Sequence, residues 1–363
     1  MSPVPLYLLG GLAFGDGGLV NLGGIEGFAH IGSEIGVILL LLMLGLEYSA
    51  KELVTGLRQS WVAGLVDLVL NMLPGAAVAL MLGWGPVAAL VMAGITYVSS
   101  SGIIAKVLGD LGRLGNRETP VILAILVIED LAMAAYLPIL TAVLAGVSFM
   151  GGLTAVGISL AVITLVLVGA LRYGHLMSKV LDSPDRESFL LKLLGAALLV
   201  AGLASALQVS AAVGAFLLGI AISGGTAENA TRVLEPLRDL FAATFFVLFG
   251  LNTDPRTIPP VLGIALALAL VTTITKLATG WWAAAQQGIG VPGRARAGAA
   301  LIARGEFSIV IAGLAVASGA VPAELAALAT TYVLIMAVFG PVAARVVEPV
   351  MGFIQGKRSE PAL

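Results

Sequence analysis

The sequence contains no cysteine and only two histidines among its 363 residues. Without cysteine the chain can form no disulfide, no thiolate metal site and no thiol nucleophile. The two histidines, His30 and His175, lie far apart and lack the spacing of a metal-binding cluster. We therefore expect a protein that works without a resident metal or any other cofactor.

Charged residues are also scarce, at 11% of the chain, whereas a soluble domain has about 25%. Hydrophobic residues make up 59%, which is more apolar surface than folding alone can hide from water. The formal net charge of −2 gives no reason to expect a nucleic-acid partner. The 46 glycines suit closely packed membrane helices. The composition therefore predicts an all-α polytopic membrane protein that lies in contact with lipid.

A membrane-spanning helix needs about 20 mostly apolar residues, and by this measure the chain has about twelve segments. The first and eighth are short and rich in glycine, so their bounds are the least distinct. The predicted segments are 4–20, 28–48, 61–84, 86–112, 118–145, 152–172, 187–206, 208–223, 232–253, 259–286, 293–318 and 322–350.

The basic residues alternate between the predicted loops. Thirteen of the 19 lie after even-numbered segments, whereas Arg256 alone follows an odd-numbered one. Because basic residues concentrate in cytoplasmic loops, both termini are predicted to be cytoplasmic. We expect the plasma (inner) membrane of a prokaryote. The thirteen are Lys51, Arg58, Lys106, Arg113, Arg117, Arg172, Lys179, Arg186, Lys192, Arg232, Arg238, Arg294 and Arg296.

Polar residues interrupt the fourth and eleventh segments. The fourth contains the run Ser99, Ser100, Ser101 and Gly102, and the eleventh contains Arg304, Gly305 and Glu306. Segments three to five and ten to twelve thus form two triplets with a broken central member, and they enter the membrane from opposite sides. Paired interruptions in two inverted halves indicate a secondary transporter with a binding site at the membrane midplane. The alternative is that small residues merely ease helix packing.

Ionisable residues inside these segments are expensive, at about 2.5–3.5 kcal/mol for a charge at the helix centre. Those that the sequence places deep in the segments are Asp67, Glu129, Asp130, Lys276, Arg304 and Glu306, whereas Glu34, Glu47 and Asp239 lie nearer to segment ends. Glu129 and Asp130 are adjacent, so on a helix their side chains point about 100° apart. We expect Glu129 to pair with Lys276, which leaves Asp130 to bind a cation or a proton. The alternative is a neutralised cluster with a structural role only.

A small monovalent cation needs several oxygen ligands, which hydroxyls and freed backbone carbonyls can supply. Thr96, Ser99, Ser100 and Ser101 meet that need, although the serines can equally bond to their own helix.

Three more ionisable residues have open assignments. Arg304 and Glu306 can pair across Gly305, balance the dipoles of half-helices or meet charges of the first triplet, and we expect structural and gating roles. Asp67 either lines an access funnel or bonds to Asn71 one turn on.

Four stretches resemble the monovalent cation/proton antiporter superfamily, in particular its Kef-like branch. They are EIGVILLLLMLGLEYS, VSSSGIIAKVLGDLGRLGNRETPVILAILVIEDLAM, TKLATGWW and ALIARGEFSIVIAGLA, which begin at Glu34, Val98, Thr275 and Ala300. The resemblance implies that Asp130 is the ion-binding aspartate. The preceding position is usually Asp, Asn or Gln in the family and is Glu129 here. An acid there beside a membrane lysine is similar to electrogenic members, in which the lysine can release a second proton.

The resemblance also implies a homodimer with an elevator-like core. Kef relatives often carry a C-terminal nucleotide-binding domain. We expect none in this chain, so regulation of that kind is expected to need a separate subunit. Many relatives have one more helix before the first segment of this chain. The expected domains are dimerisation helices 1–60 and 187–255, core repeats 61–146 and 256–352, a linker 147–186 and a short cytoplasmic tail 353–363.

Together these features predict an antiporter, not an enzyme, that exchanges potassium or sodium for protons in pH homeostasis. A channel-like efflux protein and a symporter on the same fold are the alternatives. An intramembrane aspartyl protease is disfavoured because VLGD lacks the first glycine of a GxGD motif and no YD pair occurs.

Overall fold

The computed structural model describes residues 4–15, 18, 26–46, 50–144, 176–206, 211–222, 224–251 and 254–356, with eight separate positions between 154 and 173. All regular structure in these residues is helical. The helices of the first half are α1 (Val4–Phe14), α2 (Glu26–Leu46), α3 (Ala50–Met81), α4 (Gly85–Tyr97), α5 (Ser101–Asp110) and α6 (Thr119–Leu144). Those of the second half are α7 (Arg186–Ala206), α8 (Ala211–Ala221), α9 (Gly225–Leu251), α10 (Ile258–Gln286), α11 (Val291–Ala300), α12 (Glu306–Ser318) and α13 (Ala323–Gly356).

Six helical stretches of the described residues are long and apolar enough to cross a membrane. They are Ser60–Met81, Gly85–Asp110, Thr119–Leu144, Arg186–Ala206, Pro255–Gln286 and Glu324–Phe353. Two shorter apolar stretches, Glu34–Met43 and Phe307–Val316, accompany them. The predicted sixth segment, 152–172, lies largely outside the described residues. The polytopic all-α class is confirmed, and the full count of twelve stays a prediction.

Both predicted interruptions are present as breaks between two half-helices. The first break covers residues 98–100, between α4 and α5, and the second covers residues 301–305, between α11 and α12. The sequence placed the first break at Ser99–Gly102, whereas Ser101 and Gly102 already belong to α5. The helix restarts early because the Ser100 hydroxyl accepts a hydrogen bond from the Ile103 N–H at 3.2 Å and caps the N-terminus of α5.

The chain divides into two compact units. The first contains Met1–Leu6, Gly56–Glu129 and Arg256–Leu363, and it therefore holds both broken segments. The second contains Tyr7–Thr55 and Asp130–Pro255, so helix α6 runs through the division. The assignment of a core domain and a dimerisation domain, with the boundaries expected above, stays a prediction.

The second unit is built around α2, α7, α8 and α9, whose apolar side chains form one buried cluster. Glycines let α2 and α8 approach closely, since a Cβ atom on Gly219 would lie 2.8 Å from the Cα of Gly45. In the first unit Gly280 and Gly298 do the same for α10 and α11, where an added Cβ on Gly280 would lie 2.6 Å from the Cα of Gly298. Such contacts are typical of helix packing in membranes.

Candidate functional site

The two helix breaks of the first unit contact each other directly. The backbone N–H of Ser100 donates to the Ala303 carbonyl at 2.9 Å, and the Ser99 hydroxyl oxygen lies 3.1 Å from the Leu301 carbonyl oxygen. Gly305 leaves no room for a side chain, because a Cβ there would lie 2.8 Å from the Cβ of Ser100. The backbone groups that each half-helix leaves unpaired are thus partly satisfied by the other break.

Arg304 lies fully buried at the crossing of the breaks. Its Nε and Nη2 atoms donate to the Thr96 carbonyl at 3.2 and 3.0 Å, at the C-terminal end of α4. Its Nη1 atom donates to the carbonyls of Leu301 and Ile302 at 3.1 and 3.0 Å, just after α11 ends. A cation at two helix C-termini offsets both helix dipoles. Of the roles that the sequence left open for Arg304, these contacts fit the balancing of helix dipoles. The side chain of Glu306 lies outside the described residues.

Lys276 on α10 is fully buried between two carboxylates. Its Nζ atom lies 2.6 Å from Oδ2 of Asp67 on α3 and 2.7 Å from Oε1 of Glu129 on α6. The ammonium also lies 5.5 Å from the ring centroid of Tyr97, within cation–π range. The structure thus brings Glu129 and Lys276 together as the sequence predicted, and it adds Asp67 as a second partner that the sequence did not identify.

Further polar groups hold Asp67 in place. Its Oδ1 atom accepts hydrogen bonds from the Asn71 amide and the Thr279 hydroxyl, both at 2.9 Å. Asn71 is in turn fixed by the Thr275 hydroxyl, which donates to its Oδ1 atom at 2.7 Å. The bond between Asp67 and Asn71 was one of the two possibilities that the sequence left open.

Glu129 is fully buried and receives two hydrogen bonds from the first break besides that from Lys276. The Ser99 backbone N–H donates to Oε2, and the Ser99 hydroxyl donates to Oε1 at 3.0 Å. The Thr96 hydroxyl donates to the Asn71 carbonyl at 2.8 Å, so it joins α4 to α3. The four expected oxygen ligands thus all lie at or next to the break, and Ser101 is buried at the start of α5.

Asp130 follows Glu129 on α6 and is also buried, with 3% of its surface exposed. Its side chain leaves the helix about 100° from that of Glu129. The two carboxylates therefore face different surroundings.

The sequence reasoning missed the polar face of α10. Thr272, Thr275, Lys276 and Thr279 recur at intervals of three and four residues, which places them on one helix face. This face meets Asp67 and Asn71, and at its other end the Tyr332 hydroxyl donates to Thr272 at 3.0 Å. The spacing was visible in the sequence and could have revealed these residues.

A second charged cluster lies where α6 begins. The Nε atom of Arg296 donates to Oε1 of Glu118 at 2.6 Å, which links α11 to the turn before α6. Oε2 of Glu348 on α13 lies 2.8 Å from Nη2 of Arg113, and its Oε1 lies 3.6 Å from Nη1 of Arg296. Burial by itself raises the pKa of the Glu118 carboxyl, but hydrogen bonds from Arg296, the backbone and Asn116 outweigh it, so the pKa is lowered.

Comparison with known proteins gives consistent results. The family model for the transmembrane part of sodium/hydrogen exchangers matches residues 1–348. The K(+)/H(+) antiporter subunit KhtU of Bacillus subtilis is 33% identical over 85% of this chain and 76% of its own length. The high-affinity Na(+)/H(+) antiporter NhaS3 of Synechocystis is 30% identical over 82% of this chain and 66% of its own length.

The sodium proton antiporter MjNhaP1 from Methanocaldococcus jannaschii shares the fold. Its structure matches with a TM-score of 0.70 at 16% identity, and the match covers 96% of this chain and 93% of that one. The family model and KhtU both match most of the chain. With apolar helices long enough to cross a membrane, this chain is an integral membrane protein that belongs to the transmembrane sodium/hydrogen exchanger family.

Proposed function

We propose that this protein is a secondary antiporter that exchanges a monovalent cation, potassium or sodium, for protons by alternating access. Asp130 binds the cation and the proton in turn. The observation that carries the proposal is the buried Lys276, held between two carboxylates beside the crossing of two broken helices. Charges this deeply buried are retained in membrane proteins mainly where ions or protons move.

The two adjacent acids take different roles because their side chains leave α6 in different directions. Glu129 receives the Lys276 ammonium and both donors of Ser99, so its oxygens are already engaged. Asp130 points to a different side of α6 and is buried as well. A buried carboxylate is stable when it is protonated or paired with a cation, and costly when it is neither. Competition of the two ions for Asp130 is therefore sufficient to couple their gradients.

Cation binding needs a local rearrangement of the first break. In the conformation seen, the hydroxyls of Thr96 and Ser99 donate to protein oxygens, and that of Ser100 accepts from the Ile103 N–H. A hydroxyl that donates a hydrogen bond keeps oxygen lone pairs for a cation, so these three and Ser101 can contribute as the break moves toward the ion. Both Ser99 donors to Glu129 belong to this break, so its movement changes the partners of Glu129 as well.

The same proposal covers assembly and cellular role. We infer a homodimer in the plasma membrane of a prokaryote, with cytoplasmic termini and an elevator-like core, which serves pH homeostasis. KhtU is named as an antiporter subunit, and this supports a separate regulatory subunit here as well. Relatives are named for K(+), ammonium and Na(+), so selectivity has to be measured.

The test is transport by the purified full chain in proteoliposomes that contain a pH-sensitive dye. An imposed potassium or sodium gradient should move protons, Asp130→Asn should abolish this movement, and Asp185→Asn should retain it. Asp185 is a matched control because it is exposed and caps α7 through the Ser188 N–H at 2.8 Å. Full activity of Asp130→Asn would refute the mechanism, and cation flux that needs no proton countermovement would indicate a channel.

A further inference from the structure

We propose that Asp67 is a standing counter-ion of Lys276, a positioning residue that keeps the ammonium in place when Glu129 turns away from it. The inference rests on the proposed exchange function, because only a transport cycle requires Glu129 to change partners. It assigns to α3 a part in the ion site that the two breaks and the acidic pair do not supply.

The two carboxylates hold Lys276 almost equally. The distances from Nζ are 2.6 Å to Asp67 and 2.7 Å to Glu129, and all three side chains are buried. Each carboxylate also accepts two further hydrogen bonds, Asp67 from Asn71 and Thr279 and Glu129 from Ser99. Neither partner is therefore a weak or secondary contact.

The attachments of the two carboxylates differ, and this difference separates their roles. Asp67 is held by Asn71, one turn further along α3, and by Thr279, three residues after Lys276 on α10. These bonds belong to two continuous helices. Glu129 is held instead by Ser99, which lies in the first break. When the break rearranges, Glu129 loses the hydrogen bonds that Ser99 donates. Asp67 keeps the hydrogen bonds from Asn71 and Thr279.

Charge balance gives the reason for a second carboxylate. If Glu129 were the only partner of Lys276, each departure would leave an ammonium buried without a counter-ion, which is strongly unfavourable. With Asp67 in place, the ammonium stays compensated in both positions of Glu129. Two carboxylates around one lysine are thus expected to make the departure of Glu129 easier.

A stability cycle tests the shared counter-ion without any transport. Thermal unfolding of the purified full chain in detergent is compared for Asp67→Asn, Glu129→Gln, the double variant, and the double variant combined with Lys276→Gln. We expect the melting temperature of the double variant to fall by more than the sum of the decreases in the two single variants. Adding Lys276→Gln to the double variant should restore part of the lost melting temperature. Additive losses would overturn the proposal. If the double variant cannot be purified, recovery of the triple variant supports the proposal, and its failure to recover contradicts it.

Transport kinetics test the positioning role. Asp67→Asn should lower the maximal exchange rate per folded protein by about tenfold, with a half-saturating cation concentration that changes little. Asp67→Glu should recover part of the rate, because it restores a carboxylate. The control Asp239→Asn removes an exposed partner of Arg238, 3.0 Å away, and should leave both quantities unchanged. An unchanged rate, or a large rise in the half-saturating concentration, would contradict the assignment.

The two proposals can fail separately. If Asp130→Asn remained active, the exchange mechanism would fall while the stability cycle still reported on Asp67. If the decreases in melting temperature were additive, the role proposed for Asp67 would be refuted, and the cation-driven movement of protons would be unaffected by that result.

Discussion

The hydroxyl of Ser99 donates to Oε1 of Glu129 at 3.0 Å, the same oxygen that lies 2.7 Å from the Lys276 ammonium. One carboxylate oxygen thus joins the first helix break to the buried ion pair. The same hydroxyl also lies 3.1 Å from the Leu301 carbonyl, in the second break. A shift of either break is therefore transmitted to Glu129 through one residue, Ser99.

We expect Ser99→Ala to slow exchange several-fold without abolishing it. The variant removes the hydroxyl but keeps the backbone N–H that donates to Oε2 of Glu129, so about 1 kcal/mol of hydrogen bonding is lost. The measurement is cation-driven proton movement in proteoliposomes. Ser205→Ala, at an exposed position on α7, is the matched control. Wild-type rates in Ser99→Ala would show that the break and the ion pair are not coupled through this hydroxyl.

Arg304→Lys is predicted to impair both stability and transport severely, although lysine keeps the positive charge. The guanidinium reaches the Thr96 carbonyl at the end of α4 and the Leu301 carbonyl in the second break from three nitrogens, and a lysine ammonium cannot span them from one point. The lost bonds leave carbonyls of buried half-helices unpaired, at about 1–3 kcal/mol for each buried group.

Thermal unfolding in detergent and transport should both show the defect of Arg304→Lys. Arg345→Lys, at an exposed position on α13, should leave both unchanged. A stable and active Arg304→Lys protein would mean that net charge alone is needed at the crossing.

Sequence reasoning located the breaks and one ion pair because each depends on a feature that stands out locally. A serine run, a glycine between two charges and a lysine inside an apolar helix are visible without knowledge of the packing. The pairing of Glu129 with Lys276 followed from their equivalent places in two inverted triplets. Helix class could thus be predicted, and each predicted interruption overlaps an observed break, at 98–100 and 301–305, although Glu306 already begins α12.

The second partner of Lys276 could not be predicted in this way. Nothing in the apolar periodicity of α3 shows which of its faces meets α10, so Asp67 had no assigned partner beyond Asn71. Arg304 was equally open, because donation to backbone carbonyls leaves no trace in side-chain composition. Contacts between elements far apart in sequence depend on crossing geometry, which only the folded structure supplies.

Gly280→Ala is expected to impair transport by displacing α10. The added methyl group would lie 2.6 Å from the Cα of Gly298 and 2.7 Å from its nitrogen, and neither backbone atom can yield without moving a helix. Overpacking of this kind costs about 1–3 kcal/mol. Lys276 lies one turn before Gly280, so the shift changes its distances to both carboxylates.

A matched control for Gly280→Ala exists on the same helix. A Cβ on Gly263 would meet nothing within 4 Å, so Gly263→Ala should leave stability and exchange essentially as they are. Rates and unfolding temperatures of the two variants are compared in parallel. Equal behaviour of the two variants would argue against a tight α10–α11 contact at Gly298.

Glu118→Gln should destabilise the protein near neutral pH but not at acidic pH. The pKa of Glu118 is lowered from its ordinary value of 4.5 in the folded state, chiefly by Arg296 against the opposing effect of burial. A group with a lowered pKa stabilises the fold above its unfolded pKa, and this contribution is lost as the pH falls through the folded pKa. The difference in melting temperature between wild type and variant should therefore shrink below about pH 4.5.

The control for Glu118→Gln is Glu235→Gln, which removes an exposed partner of Arg238 at 3.5 Å. Exposed pairs contribute little, so this variant should differ only slightly from wild type at every pH. Because Glu118 contacts Arg296 on α11, its loss should also loosen the half-helix that leads to the second break. A pH-independent difference for Glu118→Gln would assign its effect to packing instead of to the charged contact with Arg296.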